Sequence, residues 1–117
     1  MLNALLSRIK FSRSYVRKSK MTSGNEYKIF ISYNGHWAWF TFHDNFENKS
    51  TLKDWLYCLV LDMNSYEFSR DEYEFAREYG YDDMSEARKI YRACEKTAEK
   101  LHKLFNDSEL EILNQIQ

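Results

Sequence analysis

Between Tyr27 and Phe42 apolar residues recur at every second position on both sides of Asn34-Gly35. This period of two predicts a β-hairpin over about residues 26–43, with Asn34 and Gly35 as its two-residue turn. A turn at that dipeptide pairs Tyr33 with His36, Ser32 with Trp37, Ile31 with Ala38, Phe30 with Trp39, Ile29 with Phe40, Lys28 with Thr41 and Tyr27 with Phe42. Strand side chains alternate between faces, so Tyr27, Ile29, Ile31, Tyr33, Ala38, Phe40 and Phe42 share one face, which reads as core. The other face carries Phe30, Trp37 and Trp39 among Lys28, Ser32 and Thr41. Three large rings there require a layer of their own.

Beyond residue 50 the apolar period becomes helical. Ser50 or Thr51 opens a helix, with Asp54 completing a capping box, and Leu52, Trp55, Leu56, Leu59, Val60 and Met63 form its stripe. A second capping box, Ser69 with Glu72, predicts a short helix that turns Tyr73, Ala76 and Tyr79 inward and stops at Gly80. The longest helix starts near Asp83 or Ser85, buries Ala87, Ile90, Tyr91, Cys94, Ala98, Leu101 and Phe105, and ends near Asn106. A last helix, residues 109–116, follows Asp107 and Ser108 as caps.

At the other end Leu2, Leu5, Leu6, Ile9 and Val16 stand near helical spacing with basic residues between them, so residues 2–18 read as a basic amphipathic helix. An extended reading competes near its end, where Phe11, Arg13, Tyr15 and Arg17 alternate and would add a third strand. As a helix, this segment would lie across the second sheet face and bury its rings. The expected architecture is α+β in a single domain, residues 1–117: a basic N-terminal segment (1–20), one β-hairpin (26–43), and three to four packed helices (50–117). The stretch "SKMTSGN" reads as a loop before the hairpin.

Charge sharpens this picture. Residues 1–20 hold Arg8, Lys10, Arg13, Arg17, Lys18 and Lys20 without one acid, whereas residues 62–86 hold nine acids against Arg70 and Arg77. The near-neutral total hides two opposed surfaces, which speaks about partners rather than fold. No apolar run approaches the length of a bilayer span, and no secretory signal is evident at the N-terminus. Cys58 and Cys94 fall on apolar helix stripes, as reduced structural cysteines do. These features predict a cytoplasmic protein that does not enter the membrane.

Candidate chemistry is sparse. His36, His43 and His102 show no metal-ligand spacing with the cysteines, and no phosphate loop or catalytic triad pattern stands out. The expectation is a protein that is no enzyme and holds no cofactor or metal. Two surfaces remain. The acidic aromatic stretch, with Glu67, Asp71, Glu72, Glu74, Glu78, Tyr79, Tyr81, Asp82 and Asp83, can imitate a nucleic-acid backbone and occupy a basic groove. The basic N-terminus with the second sheet face, namely Arg8, Arg13, Arg17, Lys18, Lys20, Lys28, Trp37 and Trp39 beside Phe30, can bind nucleic acid directly.

Three segments of the helical half carry a resemblance: "TLKDWLYCLVLDMNSYEF", "YEFAREYGYDD" and "EARKIYRACEKTAEKLHKLF". With Asp54, Leu56, Cys58 and Leu59, then Gly80, Tyr81 and Asp82, then Tyr91, Ala93 and Cys94, the chain resembles a group of small uncharacterised bacteriophage and mobile-element proteins. It departs from their pattern at "EFARE" and "MSEAR". The resemblance implies a phage origin and life in the host cytoplasm, and it carries over no catalytic residues. Small phage proteins of this look are commonly inhibitors, so the leading expectation is an anti-CRISPR-like protein that blocks a host nucleic-acid-processing enzyme through Glu67 to Glu86. The alternatives are direct nucleic-acid binding and a homodimer in which the aromatic face is the self-interface.

Overall fold

The alternation around Asn34-Gly35 forms a hairpin in the register that the turn dictates. In the computed structural model, which describes residues 1–20, 23–44 and 50–116, strand β2 (Asn25–Tyr33) pairs antiparallel with β3 (His36–Asp44), from Tyr33 opposite His36 to Tyr27 opposite Phe42. Asn34 and Gly35 both adopt positive φ, 50° and 80°, as a mirror-image turn requires. The whole predicted apolar face, Tyr27 through Phe42, is buried.

The N-terminal segment departs from the helical expectation for residues 2–18. Only Leu2–Arg8 is helical (α1). Lys10–Lys18 is strand β1, which pairs with β2 and completes an antiparallel sheet of order β1-β2-β3. The apolar spacing of Leu2, Leu5 and Ile9 is helical, but beyond Ile9 the period is two, and the free edge of β2 supplies backbone partners that a helix could not use. The register shifts between Arg13 and Tyr15, a bulge at Ser14.

Helices α2 (Leu52–Phe68), α3 (Glu72–Glu78), α4 (Met84–Leu104) and α5 (Asp107–Leu113) follow. Thr51 and Asp54 form the expected capping box on α2. For α3 the cap is Asp71 rather than Ser69: its carboxylate accepts from Tyr73 and Glu74 N–H at 3.0 and 2.9 Å. Ala76 is buried as expected, but Tyr73 and Tyr79, also predicted to face inward, are exposed, and Phe75 is buried in their place. Phe75 packs among Tyr79, Tyr81 and Tyr91, with centroids 4.8, 5.8 and 5.6 Å away. Gly80, at φ 75°, closes α3 and lets Tyr81 N–H reach Ala76 carbonyl at 2.8 Å. Asp83 caps α4, while Asn106, in a capping box with Glu109, caps α5. The loop reading at Met21 and Thr22 and the last residue, Gln117, lie outside the described residues.

The helices form one layer against one face of the sheet. Trp55 sits 5.1 Å from Tyr27 and 4.7 Å from Phe42, and Leu56, Leu59 and Met63 of α2 meet Ala98, Leu101 and Leu104 of α4 in the same core. Leu5 and Ile9 are buried in it too, with α1 beside α5. The N-terminal segment therefore packs on the helical side and does not cover the second face, contrary to expectation. Among the described residues no helix is long and apolar enough to cross a membrane.

Leu101, fully buried between the layers, is a direct probe of this arrangement. Leu101→Ala is expected to cost about 2–5 kcal/mol in urea unfolding; a loss below about 1 kcal/mol would contradict the packing described.

Candidate functional site

Strand parity assigns every side chain of the second face. Opposed residues point the same way, so four rows cross the sheet: Lys10, Ser32 and Trp37; Ser12, Phe30 and Trp39; Tyr15, Lys28 and Thr41; Arg17, Glu26 and His43. In the first two rows Phe30 lies 5.0 Å from Trp39 and 6.0 Å from Trp37, so three rings make one contiguous platform. Trp37 is 55% exposed, which leaves one indole presented to solvent.

Cations surround this platform. Lys28 Nζ lies 5.9 Å from the Trp39 ring, and Lys103 of α4 reaches past the β3 edge to 5.9 Å from the Trp37 ring. Arg8 stands 5.9 Å from Tyr33, and with Lys10, Phe30, Ser32 and Trp37 it lines a cleft of about 380 Å³ at the turn end of the sheet. Beside them Lys100 donates to the Trp39 carbonyl at 2.5 Å and lies 5.3 Å from the Phe40 ring, which covers the outer edge of β3. Burial lowers the Lys100 pKa, with Lys28 and Lys96 adding repulsion.

The fourth row is closed on itself. Arg17 donates to the Glu26 carboxylate, Tyr15 hydroxyl donates to the same oxygen at 3.1 Å, and Arg17 lies 5.1 Å from the Tyr15 ring. The Arg17 hydrogen bond holds the Glu26 carboxyl below its usual range. His43 stands 3.7 Å from Glu26 and 3.0 Å from the Ser19 hydroxyl. This Ser-His-Glu order, not evident in the sequence, lacks catalytic geometry: 3.7 Å exceeds a hydrogen bond, Glu26 is engaged by Arg17 and Tyr15, and Ser19 is buried. It ties the ends of β1 and β3 together.

Of the basic set read from sequence, the structure gathers Lys28, Trp37 and Trp39, with Arg8 at the margin. Arg17 shares the face but is bound to Glu26. Arg13 and Lys18 oppose Ile29 and Asn25 and so belong to the helix side of the β1 edge. Lys20 lines another cleft with His43, Asp62 and Asp83. Sequence reasoning passed over Lys10, legible by parity once β1 is a strand, and Lys103, for which the sequence carries no signal.

The acidic set is not assembled as one free surface. Glu72 pairs with Arg88 at 2.9 Å, Glu74 with Arg70 at 3.0 Å and Glu67 with His102 at 2.5 Å, while Asp71 and Asp83 cap helices. Tyr81 is half-buried against Phe75; Glu78, Tyr79 and Asp82 are exposed. Among the described residues no three His, Cys, Asp or Glu side chains converge to hold a metal ion. Cys94 is buried, and burial, helped by the Asp62 carboxylate, pushes its thiol up to about 12.

Comparison of the chain with protein-family models, curated proteins and solved structures finds no match in any of the three.

Two measurements check this description. Near pH 8 Cys94 is a thiol rather than a thiolate, so iodoacetamide should leave it unmodified in the native protein and alkylate it in urea, as read by mass spectrometry; native labelling at the rate of an unfolded cysteine would contradict its burial. Glu26 contributes stability above its unfolded value, and that contribution disappears as pH falls through the depressed folded value. The stability gap between wild type and Glu26→Gln should therefore be widest near neutrality and close as acidification passes below the usual 4.5; a gap independent of pH would argue against the Arg17 pairing.

Proposed function

We propose that this chain is a nucleic-acid-binding protein without catalytic function, and that its binding surface is the second face of the sheet. One observation carries the reading: a contiguous platform of Phe30, Trp37 and Trp39 stands on the sheet face opposite the helices, with Lys10, Lys28, Lys103 and Arg8 around it. Ammonium and guanidinium groups attract phosphates, and indole and phenyl faces accept bases of any sequence. Phosphate-attracting cations beside base-stacking rings suit holding a nucleic acid.

The acidic aromatic surface supports a second reading, that of a phage-type inhibitor of a host nucleic-acid enzyme. What favours it is the exposure of Phe68 (77%) and Tyr73 (62%) beside the acids of α3. Against it, Glu72 and Glu74 are already paired with Arg88 and Arg70, and Glu67 is in contact with His102. A partner would have to displace those side chains.

Fluorescence anisotropy of a labelled oligonucleotide pool tests the first reading. Wild type should bind, and Trp37→Ala, at an exposed position that leaves the core intact, should weaken binding about 5- to 20-fold. Absence of binding by wild type would overturn it.

A further inference from the structure

We infer that the occupant of the open face is a single-stranded polynucleotide held mainly by base stacking, a narrower class that rests on the nucleic-acid reading above. The rings decide this first. Centroids 5.0 and 6.0 Å apart leave no room to sandwich a base, which would need about twice the 3.4 Å stacking distance. Bases must therefore lie on the outer surface of the platform, and only unpaired bases present a free face for that. Trp37 and Trp39, two residues apart on β3, stand about 7 Å from each other by strand geometry, and so offer two neighbouring platforms to consecutive bases.

Shape excludes the duplex groove. The major groove, about 12 Å wide, admits a helix or a two-stranded ribbon. Here three strands span about 10 Å between backbones before side chains are added, and α4 flanks β3 on its outer edge. A duplex laid on this face would offer its phosphates and leave the rings without a partner.

Charge then sets how the strand is held. Arg17 is spent on Glu26, Lys100 on the Trp39 carbonyl, and Arg13 and Lys18 face the helix side, so among the described residues the cations left at the platform are Arg8, Lys10, Lys28 and Lys103. Three or four phosphate contacts on a single strand correspond to a slope of log affinity against log salt of about −2 to −3. This is shallow: the stacked bases supply the remaining affinity, and it persists at salt concentrations that dissociate a purely electrostatic complex.

The test uses the full chain and three labelled probes: a short oligo-dT, an oligo-U of equal length, and a hairpin duplex, titrated by anisotropy across a salt series. One or both single strands should bind at least about tenfold tighter than the duplex, with a slope between about −2 and −3. Trp37→Ala should lower affinity with the slope unchanged, whereas Lys28→Ala should flatten the slope by about 0.7. Equal or tighter binding of the duplex, with a steep slope, would overturn the single-strand inference and leave the nucleic-acid reading standing. Failure to bind any probe would overturn both. Self-association in light scattering that Trp37→Ala abolishes, without binding of any probe, would assign the face to a second copy of this chain.

Discussion

The two-residue turn at Asn34-Gly35 is the constraint on which the molecule depends. Both residues sit at positive φ, and that geometry leaves one register for the strands on either side. Register in turn decides which of two residue sets meets the helices. A slip of β3 by one position against β2 would expose Ala38, Phe40 and Phe42 and drive Trp37, Trp39 and Thr41 against the helices. The same turn thus sets the core and, on the reverse side, composes the aromatic platform.

How much of this was legible in the sequence follows from how local each determinant is. The hairpin, its pairs and both of its faces could be read residue by residue, because a period of two and a turn dipeptide are local signals. Strand β1 was only half legible. Leu2, Leu5 and Ile9 are spaced as a helix, and what ends that helix is an available edge of β2, a tertiary fact. The seven residues of α3 are too few to establish a period, so spacing alone points to Tyr73 and Tyr79 as its inner face where Phe75, packed among three tyrosines, is the anchor.

The site divides in the same way. Phe30, Trp37, Trp39 and Lys28 follow from parity. Lys103 does not, since α4 reaches Trp37 only through tertiary packing. Nor could the charges be assigned by counting. Arg17 looks available in sequence and is committed to Glu26, and the acids around α3 look like a free array although several are capping helices or paired with Arg70, Arg88 and His102. Composition records how much charge a segment carries. Only the fold shows how much of it is left for a partner.

Helix α4 joins the two surfaces. Arg88, near its start, meets the acidic α3, and Lys103, near its end, stands over Trp37; at 1.5 Å per residue these positions lie about 22 Å apart along one continuous rod. The stiffness of one helix therefore fixes the span between the Glu72–Arg88 pair and the cation over Trp37, so that neither end can shift along the sheet without carrying the other with it.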